Sequence, residues 1–123
     1  MVGLDVTHKA LFTPEHEQRL DGRVGELVRG LLGFYGEFHR REYGWEGSPI
    51  HDAVAVAHVA RPDLLETVHR GVKVDTGSEL GRGRTYVDLW RRAGWEPNAH
   101  VAVDIRAADF LELLVARLNT LAP

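Results

Sequence analysis

The sequence contains no cysteine and a single methionine, and only 5 of its 123 residues are proline. Without cysteine there is no disulfide framework, no thiolate nucleophile and no cysteine zinc site. No apolar run approaches the roughly 18 to 20 residues that cross a bilayer. The opening MVGLDVTHK has neither the basic start nor the long apolar middle of a signal peptide. Basic charge is also short, 15 Lys and Arg against 18 Asp and Glu for a net charge of -3. A nucleic-acid or membrane-surface protein would need a positive field, so both are set aside. What is left is a cytoplasmic, soluble protein. At 44% hydrophobic and 27% charged residues it can bury a core, and residues 1–123 read as one domain.

Local signals divide the chain. MVGLDVT reads as a short buried strand entering a loop. FTPEHEQRL opens a helix, with Thr13 as cap, Pro14 at the first helical position and Glu15 at the positive end of the dipole. A second helix is expected from about Arg23 to Arg41, where Val24, Leu27, Val28, Leu31, Leu32, Tyr35 and Phe38 follow three-four spacing. Its glycines at 25, 30, 33 and 36 each weaken it by roughly 1 kcal/mol, which close packing against a neighbouring backbone would offset.

A glycine-rich loop, YGWEGSP, leads into IHDAVAVAHVA, an apolar helix expected to be deeply buried and to stop before Pro62. TVHRGVKVDT, RTYVDLW and HVAVDI alternate as strands, the first two joined by the turn-rich GSELGRG as a hairpin. RAADFLELLVARLNTLAP closes the chain as a helix with Phe110, Leu111, Leu114, Val115, Leu118 and Leu121 on one broad face. The fold class is therefore α+β, helices with a small, mainly antiparallel sheet and a C-terminal helix.

Two titratable side chains, His51 and Asp52, stand where the apolar helix begins. Asp52 as a helix cap and His51 as a loop residue would explain them, since the dipole stabilises an anion there by about 0.3–1 kcal/mol. Alternatively, a rigid helix presents a carboxylate to a metal and an imidazole for acid-base work, the same dipole disfavouring imidazolium. Elsewhere, His16 and Glu17 read as a solvated helix face, and His8, His39, His58, His69 and His100 lack a metal-ligand spacing and read as structural or exposed. GRGRT lacks the order of a phosphate-binding loop. Asp75, Asp88 and Asp104 read as caps or edge charges, and Trp45 as a loop anchor or a stacking surface.

Taken in order, MVGLDVTHKALFTPE, YGWEGSPIHDA, VKVDTGSELGRGRTYVDLW and ADFLELLVARL resemble the inosine-uridine-preferring nucleoside hydrolases over nearly the whole chain, but only their C-terminal portion. The resemblance implies calcium-dependent hydrolysis of the N-glycosidic bond of ribonucleosides to ribose and free base, within purine and pyrimidine salvage. It implies Asp52 as a Ca²⁺ ligand and His51 as the catalytic histidine that protonates or orients the leaving base. Tyr43, eight residues before His51, matches a substrate-binding tyrosine on a mobile loop, although an aromatic packed at a helix end fits it equally.

The family's Asp-rich D-T-D-x-G-x-D-D signature, which supplies the general base and most metal carboxylates, has no counterpart in residues 1–123. The expectation is a chain inactive alone, with weak calcium binding at best and exposed apolar surface. It would meet a polypeptide supplying the missing half or form a homo-oligomer. The alternative is a non-catalytic truncated module that self-associates or binds a partner.

Overall fold

Thr13, Pro14 and Gly44 punctuate the first third of the chain. The computed structural model describes residues 1–121. The helices are α1 (Leu4–Thr7), α2 (Pro14–Gln18), α3 (Gly22–Tyr43), α4 (His51–Ala60) and α5 (Ala107–Asn119). The strands are β1 (Leu11–Phe12), β2 (Ser48–Pro49), β3 (Leu65–Arg70), β4 (Val72–Val74), β5 (Thr85–Val87) and β6 (Ala99–Ile105). The helix expected at Thr13–Pro14 is α2, and His16 Nδ1 accepts the Thr13 backbone N–H at 3.2 Å. Gly44 ends α3 at φ +69°, a left-handed cap that a side chain would strain.

Pairing is antiparallel throughout, as expected, but distributed over three two-stranded ladders: β1 with β2, β3 with β6, and β4 with β5. The β4–β5 hairpin forms around Asp75, whose carboxylate accepts the Gly77 and Ser78 N–H groups at 3.0 and 2.9 Å. Asp88 is buried and gathers the loop after β5, accepting from Ala93 at 3.1 Å and Trp95 at 3.4 Å. Burial would raise its carboxyl pKa, yet the N–H groups of Ala93, Trp95, Arg92 and Gly94 hold it below the usual carboxylate range. Asp104 pairs with Lys9 at 2.7 Å.

Val6, Phe12, Val54, Leu64, Phe110 and Val115 anchor a core in which α1 packs on β6, α3 on α5 and β2, and α4 on α1 and α5. Three expectations are corrected. MVGLDVT is not a strand: Gly3 C=O accepts the Val6 and Thr7 N–H groups and starts α1. Only Met1 lies along β6, donating to His100 O and accepting from Ala102. The apolar α4 is not deeply buried, because only Val54 is enclosed while Val56 and Val59 are 69% and 83% exposed. A helix apolar all round needs elements on every side, and among the described residues α4 is packed on one. On α5, Leu121 lies past the helix end and is exposed, and the last two residues of that expected helix lie outside the described residues.

Candidate functional site

The start of α4 is placed by the β1–β2 ladder. Leu11 pairs with Pro49 and Phe12 with Ser48, and the Ile50 N–H donates to Ala10 O at 3.2 Å. This clamps the end of α1 against the first residue of α4. Buried Thr7 thereby meets His51, with Thr7 Oγ1 and His51 Nδ1 2.7 Å apart. With Nδ1 engaged, Nε2 is the nitrogen left to exchange a proton.

A cluster of rings surrounds this pair. His8 lies edge-on to His51 at 5.6 Å between centroids and to Trp45 at 4.9 Å. Trp45 in turn stacks on Tyr43 at 4.8 Å and on His39 at 5.9 Å. Tyr35, His39 and Tyr43 recur every four residues along α3, so their rings form one stripe. A cleft of about 520 Å³ opens beside it, lined by Tyr35, His39, Ser48, His51 and Asp52 among others.

The structure thus brings His51 and Asp52 to one cleft and leaves Tyr43, stacked on Trp45 at the end of α3, outside that lining. Both readings of Tyr43 keep a foothold: it packs at a helix end and remains 58% exposed. Thr7, His8 and His39 were not singled out as site residues. Thr7 and His8 lie more than 40 residues from His51, and no spacing rule connects them. The Tyr35–His39–Tyr43 stripe, by contrast, was visible as a helical repeat.

Burial pushes the His51 pKa below its ordinary value, reinforced by His8 and His39 and opposed by Asp52. His51 is therefore neutral at neutral pH. Because the folded state binds this proton less readily than the unfolded chain, the contribution to stability is present above about pH 6.5, the unfolded value. It is lost as pH falls through the lower folded value. An NMR titration should report His51 below that of an unfolded histidine, and Thr7→Val should move it. A titration at the unfolded value would contradict the packing described.

The cap-and-loop reading is corrected: Ile50 precedes α4, His51 is its first residue, and exposed Asp52 in the first turn makes no side-chain hydrogen bond among the described residues, although the dipole favours its carboxylate. Ca²⁺ takes about six to eight oxygen ligands. No cluster of three or more His, Asp or Glu residues suited to a metal exists among the described residues. This donor set does not make a calcium site by itself. Isothermal titration of the chain with calcium should accordingly show no saturation at submillimolar concentration, whereas a micromolar, Asp52-dependent isotherm would overturn that conclusion.

The family model for inosine-uridine preferring nucleoside hydrolases matches residues 1–112. The pyrimidine-specific ribonucleoside hydrolase RihA of Escherichia coli O8 (strain IAI1) is 40% identical over 97% of this chain and 40% of its own length. Among solved structures, a purine-preferring ribonucleoside hydrolase from Gardnerella vaginalis superposes with a TM-score of 0.85 at 29% identity, covering 98% of this chain and 39% of that one. A plant nucleoside hydrolase shares the fold at a TM-score of 0.82 and 21% identity, over 95% of this chain and 40% of that one. The chain spans about two fifths of the length of these relatives. It belongs to the inosine-uridine preferring nucleoside hydrolase family.

Proposed function

We propose that this chain is the C-terminal portion of a nucleoside N-ribohydrolase and contributes one wall of its active site. The observation that carries the reading is His51, held by Thr7 beside Asp52 at the mouth of a cleft, in a chain of this family. The reaction breaks the bond between the ribose anomeric carbon and the base nitrogen. The base leaves with the bonding electron pair and takes up a proton, and water oxygen bonds to the carbon. His51 is the residue proposed to orient the departing base and hand it that proton. A neutral imidazole suits this relay, because it donates at one nitrogen while accepting at the other. Asp52 would give one carboxylate to a calcium ion whose other oxygens come from outside the described residues, and Tyr43 would approach the substrate from the end of α3.

The general base is no part of this chain's cleft, so the chain is proposed to be inactive until an Asp-rich portion joins it. Its setting would be cytoplasmic nucleoside salvage. The test is complementation: the chain is mixed with, or fused behind, a polypeptide carrying the Asp-rich portion of a relative. Because one relative is pyrimidine-specific and another purine-preferring, release of base is followed from both uridine and inosine. Activity that needs both parts supports the reading, and a folded complex without activity contradicts it.

The second reading, a non-catalytic module that associates through apolar surface, is favoured by the exposed Phe34, Val56 and Val59, at 78%, 69% and 83%. It predicts that complementation yields a complex or an oligomer but no base release.

A further inference from the structure

Two histidines far apart in sequence meet outside the His51 cleft. His69 on β3 and His100 on β6 are register partners in the antiparallel ladder, so their side chains leave the same face of the sheet side by side. Their rings stack with centroids 4.7 Å apart and planes 13° from parallel. Both residues are exposed, and among the described residues neither ring takes part in a hydrogen bond or an ion pair. The backbone beneath them is held on both sides. On one side Val68 pairs with Val101, which is buried. On the other, the Asn98 N–H donates to Arg70 O at 3.1 Å, and the Asn98 side chain accepts from the Val72 N–H and donates to Val72 O at 2.8 and 3.0 Å.

We propose that His69 and His100 form a chelating site for a late first-row divalent ion, Cu²⁺, Ni²⁺ or Zn²⁺, with water completing the coordination shell. Neutral imidazole nitrogen suits these ions, whereas Ca²⁺ and Mg²⁺ take oxygen. Two nitrogens on one tetrahedral ion, each about 2.0–2.1 Å from it, stand about 3.3 Å apart. Tilting the stacked rings toward each other brings one edge of each to that separation, and no hydrogen bond has to break. Because the ladder fixes both backbones, capture by the second imidazole is intramolecular, and a chelate gains its affinity over a single histidine in that way. No third His, Asp or Glu joins the pair into a larger cluster among the described residues, so the site stays open to water. Two cations stand close by, the Met1 amine on His100 O at 2.7 Å and the Arg70 guanidinium on His69 O at 2.8 Å. Their charge opposes a metal ion, which puts copper, the strongest binder of the series, first. His8 and His51 are less suited: their rings meet edge-on at 5.6 Å, and His51 Nδ1 is engaged by Thr7. The proposal is independent of the hydrolase reading, since neither His69 nor His100 lines the His51 cleft.

Isothermal titration of the full chain with zinc chloride at neutral pH tests it, with NMR of the histidine rings identifying the ligands. The expected result is saturable binding of one ion per chain, the His69 and His100 ring resonances moving together and before those of His8, His39 and His51. His69→Ala and His100→Ala should each weaken binding by on the order of 100-fold, the scale of removing one of two linked ligands. Cu²⁺ should bind more tightly than Zn²⁺, and excess Ca²⁺ should not displace either. Since both positions are exposed, the variants should fold, as circular dichroism will show. His69→Gln and His100→Gln give the same readout should an alanine variant misfold. Absence of saturation, first binding at His8 and His51, displacement by Ca²⁺, or an isotherm indifferent to both substitutions would overturn the proposal and leave the stack as a packing pair of the ladder.

Discussion

In a complemented hydrolase, His51→Ala is expected to lower kcat by about 100- to 10,000-fold, the range for losing a positioned proton-transfer group. The effect should fall on kcat more than on KM, because the proton is needed at the departing base nitrogen rather than for holding ribose. His51 suits such a step: its Nδ1 is fixed 2.7 Å from the Thr7 hydroxyl, and burial with His8 and His39 nearby keeps the ring neutral. Thr7→Val should therefore produce a smaller loss in kcat together with a shifted pH profile, since it frees the ring without removing it. If His51→Ala leaves kcat within a few-fold while the complex stays folded, His51 is a packing residue and the role assigned to it is wrong.

Phe110→Ala is expected to cost about 3–5 kcal/mol, the usual penalty for removing a buried aromatic. Phe110 is 1% exposed, at the second turn of α5, where it joins the core below and lines an apolar groove of about 370 Å³ against Ala53, Val56 and Ala57 of α4. Removing the ring would connect core and groove, leaving no simple collapse to fill the void. Domains of this size have roughly 5–15 kcal/mol of total stability, so the variant should unfold at far lower urea, if it folds. Phe110→Leu, which preserves most of the volume, should cost less than about 1.5 kcal/mol. Equal midpoints for Phe110→Ala and the parent chain would mean that α5 is not bound to the core as described.

Local chemistry was the legible part of the sequence. Thr13–Pro14 and Pro62 mark helix boundaries through cap and backbone rules that act within one turn, and both hold in the structure, whereas α3 runs two residues past the expected Arg41 to the Gly44 cap. The β4–β5 hairpin follows from a turn whose own Asp75 organises it. Burial was less legible, because it depends on what lies beside an element. The composition of α4 demanded neighbours on all sides, while the described chain provides them on one. Residues 1–7 read as a short buried strand, but among the described residues no ladder extends beyond Met1, and the backbone turns helical instead. At the site, His51 and Asp52 were visible because two titratable side chains open an apolar run. Thr7 and His8 were not, since only the β1–β2 clamp brings them to His51.

The most direct test of the account is release of free base from inosine and uridine by the purified chain with calcium present. The account predicts no rate above the uncatalysed background. Saturable release, abolished both by EDTA and by Asp52→Ala, would contradict it, showing that residues 1–123 assemble a complete hydrolytic site on their own.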